Sequence, residues 1–538
     1  MNTTSAFDFK LKHPKGLIPA ALSNMGERFG YYIMNAVLTL FLCSKFGLDA
    51  AQGALIYSFF YAGIYVLSLA GGIIADRLQN YKGTIMAGLI TMACGYVLLS
   101  IPIGYSIMDL ENDFYVIITL TCFALFLIAF GNGLFKGNLQ AIVGQMYDNL
   151  ETDAEKEGGS SLKKMAASLR DSGFQIFYVF INIGGLVAPF VAPYLRGWWL
   201  GVNNFVYNAD LPALAHNFMN GEIAPQQLAN FTKLAHDATT ATGTIDTSMF
   251  SDFCHNYLNV FNTGVHYSFL ASVAAMFISL IIFIATKKIF PNPAKKVKKD
   301  VTNYSEADKK AMATEIRQRI LALFAVLGIV IFFWFSFHQN GVSLSFFARD
   351  FVNTSVIPPE VWQALNPFLV VCLTPIIMWI FGTLRKKGKE PSTPMKIAIG
   401  MGIAGLGYLF LTIVSNIAGF PGYKEYLTLT TDAQTALKIA PWTLVGMYFL
   451  LTVAELFISP LGLSFVSKIA PKHMLGLCQG LWLTATAVGN LLLFLGAMMY
   501  ESWSLWMCWV VFAIVCTISM VVMLAMVKWI TKISEKAN

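Results

Sequence analysis

The chain has 538 residues, of which 56% are hydrophobic and only 12% charged, about half the charged share of an ordinary soluble domain, roughly 25%. With 37 basic and 30 acidic side chains to cover that length, composition excludes disordered, collagen-like and disulfide-scaffold chains and a soluble enzyme, and predicts a polytopic membrane protein. The formal charge of +7 is read as topology and leaflet contact with the lipid bilayer, not as nucleic-acid binding.

Residues 1–16 are polar and predict a cytoplasmic N-terminus without a cleavable signal. A membrane-crossing helix needs about 20 apolar residues. Twelve runs qualify: 17–43, 53–75, 83–103, 115–145, 172–195, 263–286, 319–342, 364–384, 394–416, 441–467, 474–499 and 505–529. An even number puts both termini on one side. With the N-terminus inside, 29 of the 37 Lys and Arg fall in cytoplasmic segments, six fall outside, and Arg28 and Lys136 lie within spans; the positive-inside rule therefore predicts cytoplasmic termini.

The spans divide into two sets of six, giving an all-α protein with a bundle at 17–286 and another at 319–530, and a cytoplasmic tail at 531–538. The connector 287–318 carries Lys295-Lys296-Val297-Lys298-Lys299 and reads as a basic, solvated cytoplasmic linker with a short surface helix near 305–318. Residues 146–171 read as a charged cytoplasmic connector, and 196–262 as an extracytoplasmic insertion with short helical stretches, a decorative one in the first reading and a small cap in the second. Seven of the eight cysteines lie in or beside apolar runs without metal spacing and read as small hydrophobes.

Ionisable groups within a bilayer cost a few kcal/mol each on insertion scales and call for a partner or a purpose. Away from their ends the spans hold very few: Glu27, Arg28, Lys136, His338 and Glu455. In the first span Asn24, Glu27, Arg28, Tyr31 and Asn35 project as one polar stripe, with Tyr32 at its edge. In the fourth, Asn132, Lys136 and Gln140 share a face beside Gly131, Gly133 and Gly137, small residues that admit a close neighbour. The simplest pairing joins Lys136 to Glu27 and leaves Arg28 for a ligand anion; a fixed network of all three is the structural alternative. In the tenth span Thr452, Glu455 and Ser459 precede Pro460, which frees a backbone carbonyl. A carboxyl group in such a cavity can carry a proton and, ionised, hold an ammonium group. His338 reads equally as a titrating group or a neutral, hydrogen-bonded imidazole; Trp334 and Trp482 fall inside spans, and Trp482 reads equally as cavity lining or as packing. A small zwitterion with its amine toward Glu455 and its carboxylate toward Arg28 and Lys136 would bridge the bundles.

These residues resemble signatures of the proton-dependent oligopeptide transporter family of the major facilitator superfamily. Glu27-Arg28-Phe29-Gly30-Tyr31-Tyr32 is similar to its ExxERFxYY motif, Gly72-Ile73-Ile74-Ala75-Asp76-Arg77 to the superfamily's loop 2–3 motif, Phe135-Lys136-Gly137-Asn138 to FKPN, and Phe177 to Gly184 to FYxxINxG. Asn366-Pro367 and the segment Ala454 to Ser464 match the eighth and tenth helices. The resemblance implies a twelve-helix, proton-driven symporter of di- and tripeptides in the plasma membrane (a bacterial inner membrane), monomeric, with no cofactor beyond the coupling proton. It implies that Arg28, Tyr31, Tyr32, Tyr65 and Lys136 hold the peptide carboxylate, and that Asn182, Asn366 and Glu455, with Ser459 beside them, face its amine. It further implies that Trp482 lines a side-chain pocket and that Glu27 titrates against Lys136.

Three positions depart from the pattern. Asn24 replaces the first Glu of the motif, Asn35 an expected Arg, and His338 that Arg's acidic partner. The expectation is that coupling runs through Glu27, Lys136 and Glu455 with His338 assisting, while the altered outer gate keeps open a second cargo class, another small zwitterion or organic anion. Nothing in the chain reads as a nucleophile–base pair, phosphate loop or metal site, so no enzymatic role is expected.

Overall fold

The computed structural model describes residues 12–104, 112–239, 247–291, 306–354, 356–387, 389–469 and 475–536. Eighteen helices follow in chain order: α1 (Leu17–Phe46), α2 (Ala50–Leu78), α3 (Tyr81–Ser100), α4 (Phe114–Val187), α5 (Val191–Val202), α6 (Leu211–Met219), α7 (Pro225–Asp237), α8 (Phe250–Thr286), α9 (Glu306–Phe337), α10 (Ser343–Phe351), α11 (Leu365–Lys386), α12 (Thr393–Ile417), α13 (Tyr423–Tyr426), α14 (Thr431–Leu437), α15 (Trp442–Ile469), α16 (Leu475–Leu491), α17 (Leu493–Ser502) and α18 (Leu505–Lys536). Among the described residues there is no strand, only the isolated bridges Phe205–Thr239 and Val352–Ile439. Twelve helical stretches are long and apolar enough to cross a membrane, matching the twelve runs read from the sequence. All eight cysteines are free thiols.

Local chemistry sets the boundaries. Gly47 ends α1 in the left-handed conformation (φ 63°), and Asp49 opens α2 by accepting from the Gln52 N–H, whose side chain answers on the Asp49 N–H. Residues 146–171, expected as a connector, continue the helix of α4 instead. The helix must still reverse, since the rings of Tyr147 and Phe174 stand 6.3 Å apart; Gly159, at φ 63°, supplies the left-handed residue at which it can do so. The basic run 295–299 lies outside the described residues, and the helix expected near 305–318 is the beginning of α9.

One bundle packs α1 against α8, α3 against α4 and α8, and α2 against α4; the other packs α12 against α15 and α18, and α9 against α16 and α18. They meet through α2 against α16 and α17, and α4 against α11. Close approach within the first bundle rests on glycine: a Cβ at Gly131 would lie 2.6 Å from the Gly88 carbonyl oxygen.

The insertion 196–262 folds on an aromatic cluster. Phe218, Phe231 and Phe250 lie 5.1–5.8 Å apart, and Phe253 and Tyr257 stack at 5.8 Å. It is a small cap that straddles the bundles, through the His216 ring to the Ser44 carbonyl (2.8 Å) on one and Lys233 to Asp432 (2.6 Å) on the other. We refer to this as the capped end.

Candidate functional site

The polar stripe of α1 faces inward, as its spacing predicts. Glu27 and Arg28 are buried, but the pairing differs from the expected one. Arg28 donates Nε–H and an Nη2–H to the two oxygens of Glu27 at 2.6 and 2.7 Å, and the Asn132 amide donates to Glu27 at 2.5 Å. A guanidinium presents two parallel donors that match a carboxylate, which a lysine cannot do. Lys136 is therefore left without a carboxylate partner among the described residues; its ammonium lies 4.9 Å from the centre of the Tyr65 ring, and the residue as a whole is half-buried.

Tyrosines line the space between. Arg28 stands over Tyr31 at 4.7 Å, and Tyr31 meets Tyr32 edge-on at 5.4 Å. On α2, Tyr57, Tyr61 and Tyr65 recur every four residues and their rings follow one another at 5.4 and 5.8 Å. That four-residue spacing was the available signal for Tyr57 and Tyr61, which sequence reasoning passed over.

On the second bundle Asn366 donates to Glu455 at 2.9 Å and to Thr452 at 3.0 Å. Glu455 and Ser459, one turn further along α15, keep partial exposure. No cation pairs with Glu455 among the described residues. Asn182 is buried and bonded to the Tyr178 carbonyl of its own helix at 3.0 Å. Trp482 is 3% exposed and its ring lies against Gly462, leaving no room for a side chain there; of the two readings of Trp482, this arrangement is the packed one.

Asn35 and His338 are not joined to each other. Asn35 accepts from Tyr31 (3.2 Å) and Tyr57 (3.0 Å) and donates to Gln363 (3.4 Å) on the other bundle. His338 lies in the 3₁₀ turn His338–Gly341, stacks on Trp334 at 4.9 Å and bonds the Asn490 side chain at 2.5 Å. The arrangement is that of a hydrogen-bonded imidazole.

Several polar bonds cross between the bundles toward the capped end. Thr39 donates to the Gly341 carbonyl, the Ala50 N–H to Glu501, and the Phe494 N–H to Ser58. Arg196 of α5 meets Glu360 at 2.6 Å with side chains 3% and 1% exposed. A cavity of about 460 Å³ lies beside this pair, under the cap. The two residues sit 164 apart at the edges of apolar runs, where charges are ordinarily wetted.

A family model described as the POT family matches residues 82–308 and 292–505. Over 498 residues the chain is 27% identical to the peptide transporter YePEPT of Yersinia enterocolitica, covering 89% of this chain and 86% of that protein. Over 505 residues it is 27% identical to the dipeptide and tripeptide permease B of Salmonella typhimurium, covering 91% and 88%. Its fold is that of a peptide transporter POT solved with sulfate (TM-score 0.67, 21% identity, 97% and 96% coverage) and of a POT family transporter solved with 5-aminolevulinic acid (0.67, 19%, 96% and 97%).

Proposed function

The chain belongs to the POT family, and from that membership and the polar groups carried on the two bundles we propose that it moves di- and tripeptides across a bacterial plasma membrane together with protons, by alternating access. The observation that carries this reading is a complementary pair of charges: Lys136 on one bundle, without an anion among the described residues, and Glu455 on the other, held by Asn366 and without a cation among them. A small peptide has a carboxylate for the first and an ammonium for the second, and the tyrosines between present aromatic surface to its side chains. The Glu27–Arg28 pair is already satisfied, so it braces Tyr31 and Tyr32 and orients the cavity. The cytoplasmic end is the one bearing the termini and most basic residues; the capped end faces outward.

Coupling is energetically sufficient. One proton contributes about 2.3 kcal/mol per 100 mV of potential and about 1.4 kcal/mol per pH unit, which together support accumulation of more than a hundredfold. Glu455 faces the amine site, so its protonation and amine release are linked: the carboxylate binds the ammonium group and the neutral acid lets it go.

Uptake of labelled dialanine into proteoliposomes, with an inward proton gradient and with the gradient collapsed, tests the reading. Accumulation that requires the gradient and is competed by dipeptides but not by free alanine is expected. Gradient-dependent uptake of a non-peptide zwitterion in place of dialanine would move the cargo to the second class on the same fold.

A further inference from the structure

Two glycine seams set the outline of the first bundle. A Cβ at Gly88 would lie 2.6 Å from the Gly131 carbonyl oxygen and one at Gly95 2.7 Å from that of Ala124, so α3 lies backbone to backbone on α4. A Cβ at Gly30 would lie 2.8 Å from the end of the Met276 side chain and 3.3 Å from the Ser272 carbonyl oxygen. Across that second seam Ser272 donates to the Gly30 carbonyl at 3.0 Å, and Ser23 to the Ser279 carbonyl at 3.1 Å. The first seam draws α3 toward α4 and the second draws α8 toward α1. The outer edges of α3 and α8 part as a result, and a cavity of about 360 Å³ opens between them.

Its walls include Ile90, Cys94 and Val97 of α3 and Met276, Phe277 and Leu280 of α8, and the Cys94 thiol is the only side-chain donor along it. Ile90, Val97 and Phe277 are 40–51% exposed, so the cavity is a groove on the outside of the bundle. Counted at 1.5 Å per residue, it runs from about 14 Å to about 26 Å from the Tyr81 end of α3. A hydrocarbon core is about 30 Å thick, so the groove starts near mid-membrane and extends about 12 Å toward the capped end.

We infer that this groove seats one acyl chain of a phospholipid from the leaflet at the capped end, lying lengthwise with its tip between Ile90 and Phe277. Spread over its length, the volume leaves a cross-section of about 30 Å², far below the roughly 80 Å² of a helix 10 Å across. A helix of a second copy therefore does not fit. Water finds one weak donor and is excluded by depth. Inside a bilayer no hydrophobic force pushes a chain onto the protein; the gain is contact. An unfilled groove deprives its lining of dispersion partners on one side, and a chain lying in it touches protein on both flanks and beneath. The chain braces α3 and α8 against each other within one bundle, and neither wall carries a residue of the proposed cargo site. The inference therefore does not rest on the transport reading.

The test is photolabelling of the full-length protein in vesicles of phosphatidylethanolamine and phosphatidylglycerol. The probe is a phosphatidylethanolamine with a diazirine at the end of one acyl chain, and the labelled residues are located by mass spectrometry. Ile518 and Val521 of α18, 57% and 55% exposed, serve as the reference for ordinary lipid contact. Labelling at Ile90 and Phe277 should exceed that reference several-fold. Moving the diazirine close to the ester should carry the label toward Val97. Cys94→Trp, which fills the groove from an exposed position, should bring labelling down to the reference, whereas Cys94→Ser should leave it high. Equal labelling of the groove and of α18 in the parent protein overturns the proposal without any variant. So does a label that stays in place when the diazirine moves, or enrichment that survives in Cys94→Trp; Val97→Trp fills the same groove if Cys94→Trp fails to fold. Disulfide-linked dimers on copper-catalysed oxidation, lost in Cys94→Ala, would place a second copy over the groove and overturn the proposal as well.

Discussion

Arg28 grips both oxygens of its sequence neighbour Glu27, at 2.6 and 2.7 Å, and thereby sets Lys136 free. Adjacent residues on a helix diverge by about 100° and do not face one another by spacing, so the pair depends on the reach of two long side chains bending toward each other. Stability and transport should therefore separate. Glu27→Gln strands a buried guanidinium and is expected to cost about 3–5 kcal/mol, read as a lowered thermal midpoint in detergent. Lys136→Gln breaks no ion pair among the described residues and should leave the midpoint nearly unchanged while abolishing dialanine uptake.

Glu455→Gln keeps the size of the side chain and an acceptor oxygen for the Asn366 amide but cannot exchange a proton. Gradient-driven accumulation should be lost, while exchange of internal for external peptide, which needs no net proton movement, persists at a measurable rate. Loss of both would mean that Glu455 does no more than support the fold or the binding site.

Restoring an arginine at position 35 should harm this protein. The partners of Asn35 are Tyr31, Tyr57 and Gln363, none of them anionic, and His338 is committed to Asn490. Asn35→Arg is expected to lower stability by about 1–3 kcal/mol as an unpaired, half-buried charge. A thermal midpoint equal to the parent's would show that an anion moves in to meet it.

The glycines of α4 make a matched pair of substitutions. At Gly131 a methyl group would lie 2.6 Å from the Gly88 carbonyl oxygen, whereas at Gly137 the nearest atom is 4.0 Å away. Gly131→Ala should cost about 1–3 kcal/mol through overpacking, and Gly137→Ala should be neutral or slightly stabilising because alanine favours the helix. Equal midpoints for the two variants would show that α3 and α4 can move apart freely.

In the cap, burial first and His255 second hold His216 below the usual histidine range, against the opposing effect of its bond to Ser44. A histidine kept neutral in the fold favours the folded state while the unfolded chain is also neutral. That contribution declines as pH falls below about 6.5, where the unfolded histidine takes its proton first. His216→Gln can keep a donor for the Ser44 carbonyl and should lose part of the acid sensitivity of thermal unfolding.

The spans and the inward stripes of α1 and α4 were legible because length and helical period are local properties of the chain. The partners were not. That Lys136 stands free follows from Arg28 taking both oxygens of Glu27 within one bundle, whereas Asn35 reaching Gln363 and Arg196 reaching Glu360 are consequences of how the two bundles dock; no spacing along one helix reports any of these. The reversal in α4 escaped for the opposite reason: the charged segment 146–171 has the composition of a loop, yet its backbone stays helical on both sides of Gly159.

The cap spans the seam between the bundles, and its Lys233–Asp432 tie is 51% and 89% exposed while the Arg196–Glu360 pair beneath is dry. Dissolved salt screens the first strongly and the second hardly at all, since the Debye length in physiological medium is about 8 Å. The ionic strength of the surroundings can thus loosen the outer clasp without touching the inner one, so the salt content of the medium sets how readily the cap yields while the buried pair beneath it stays engaged.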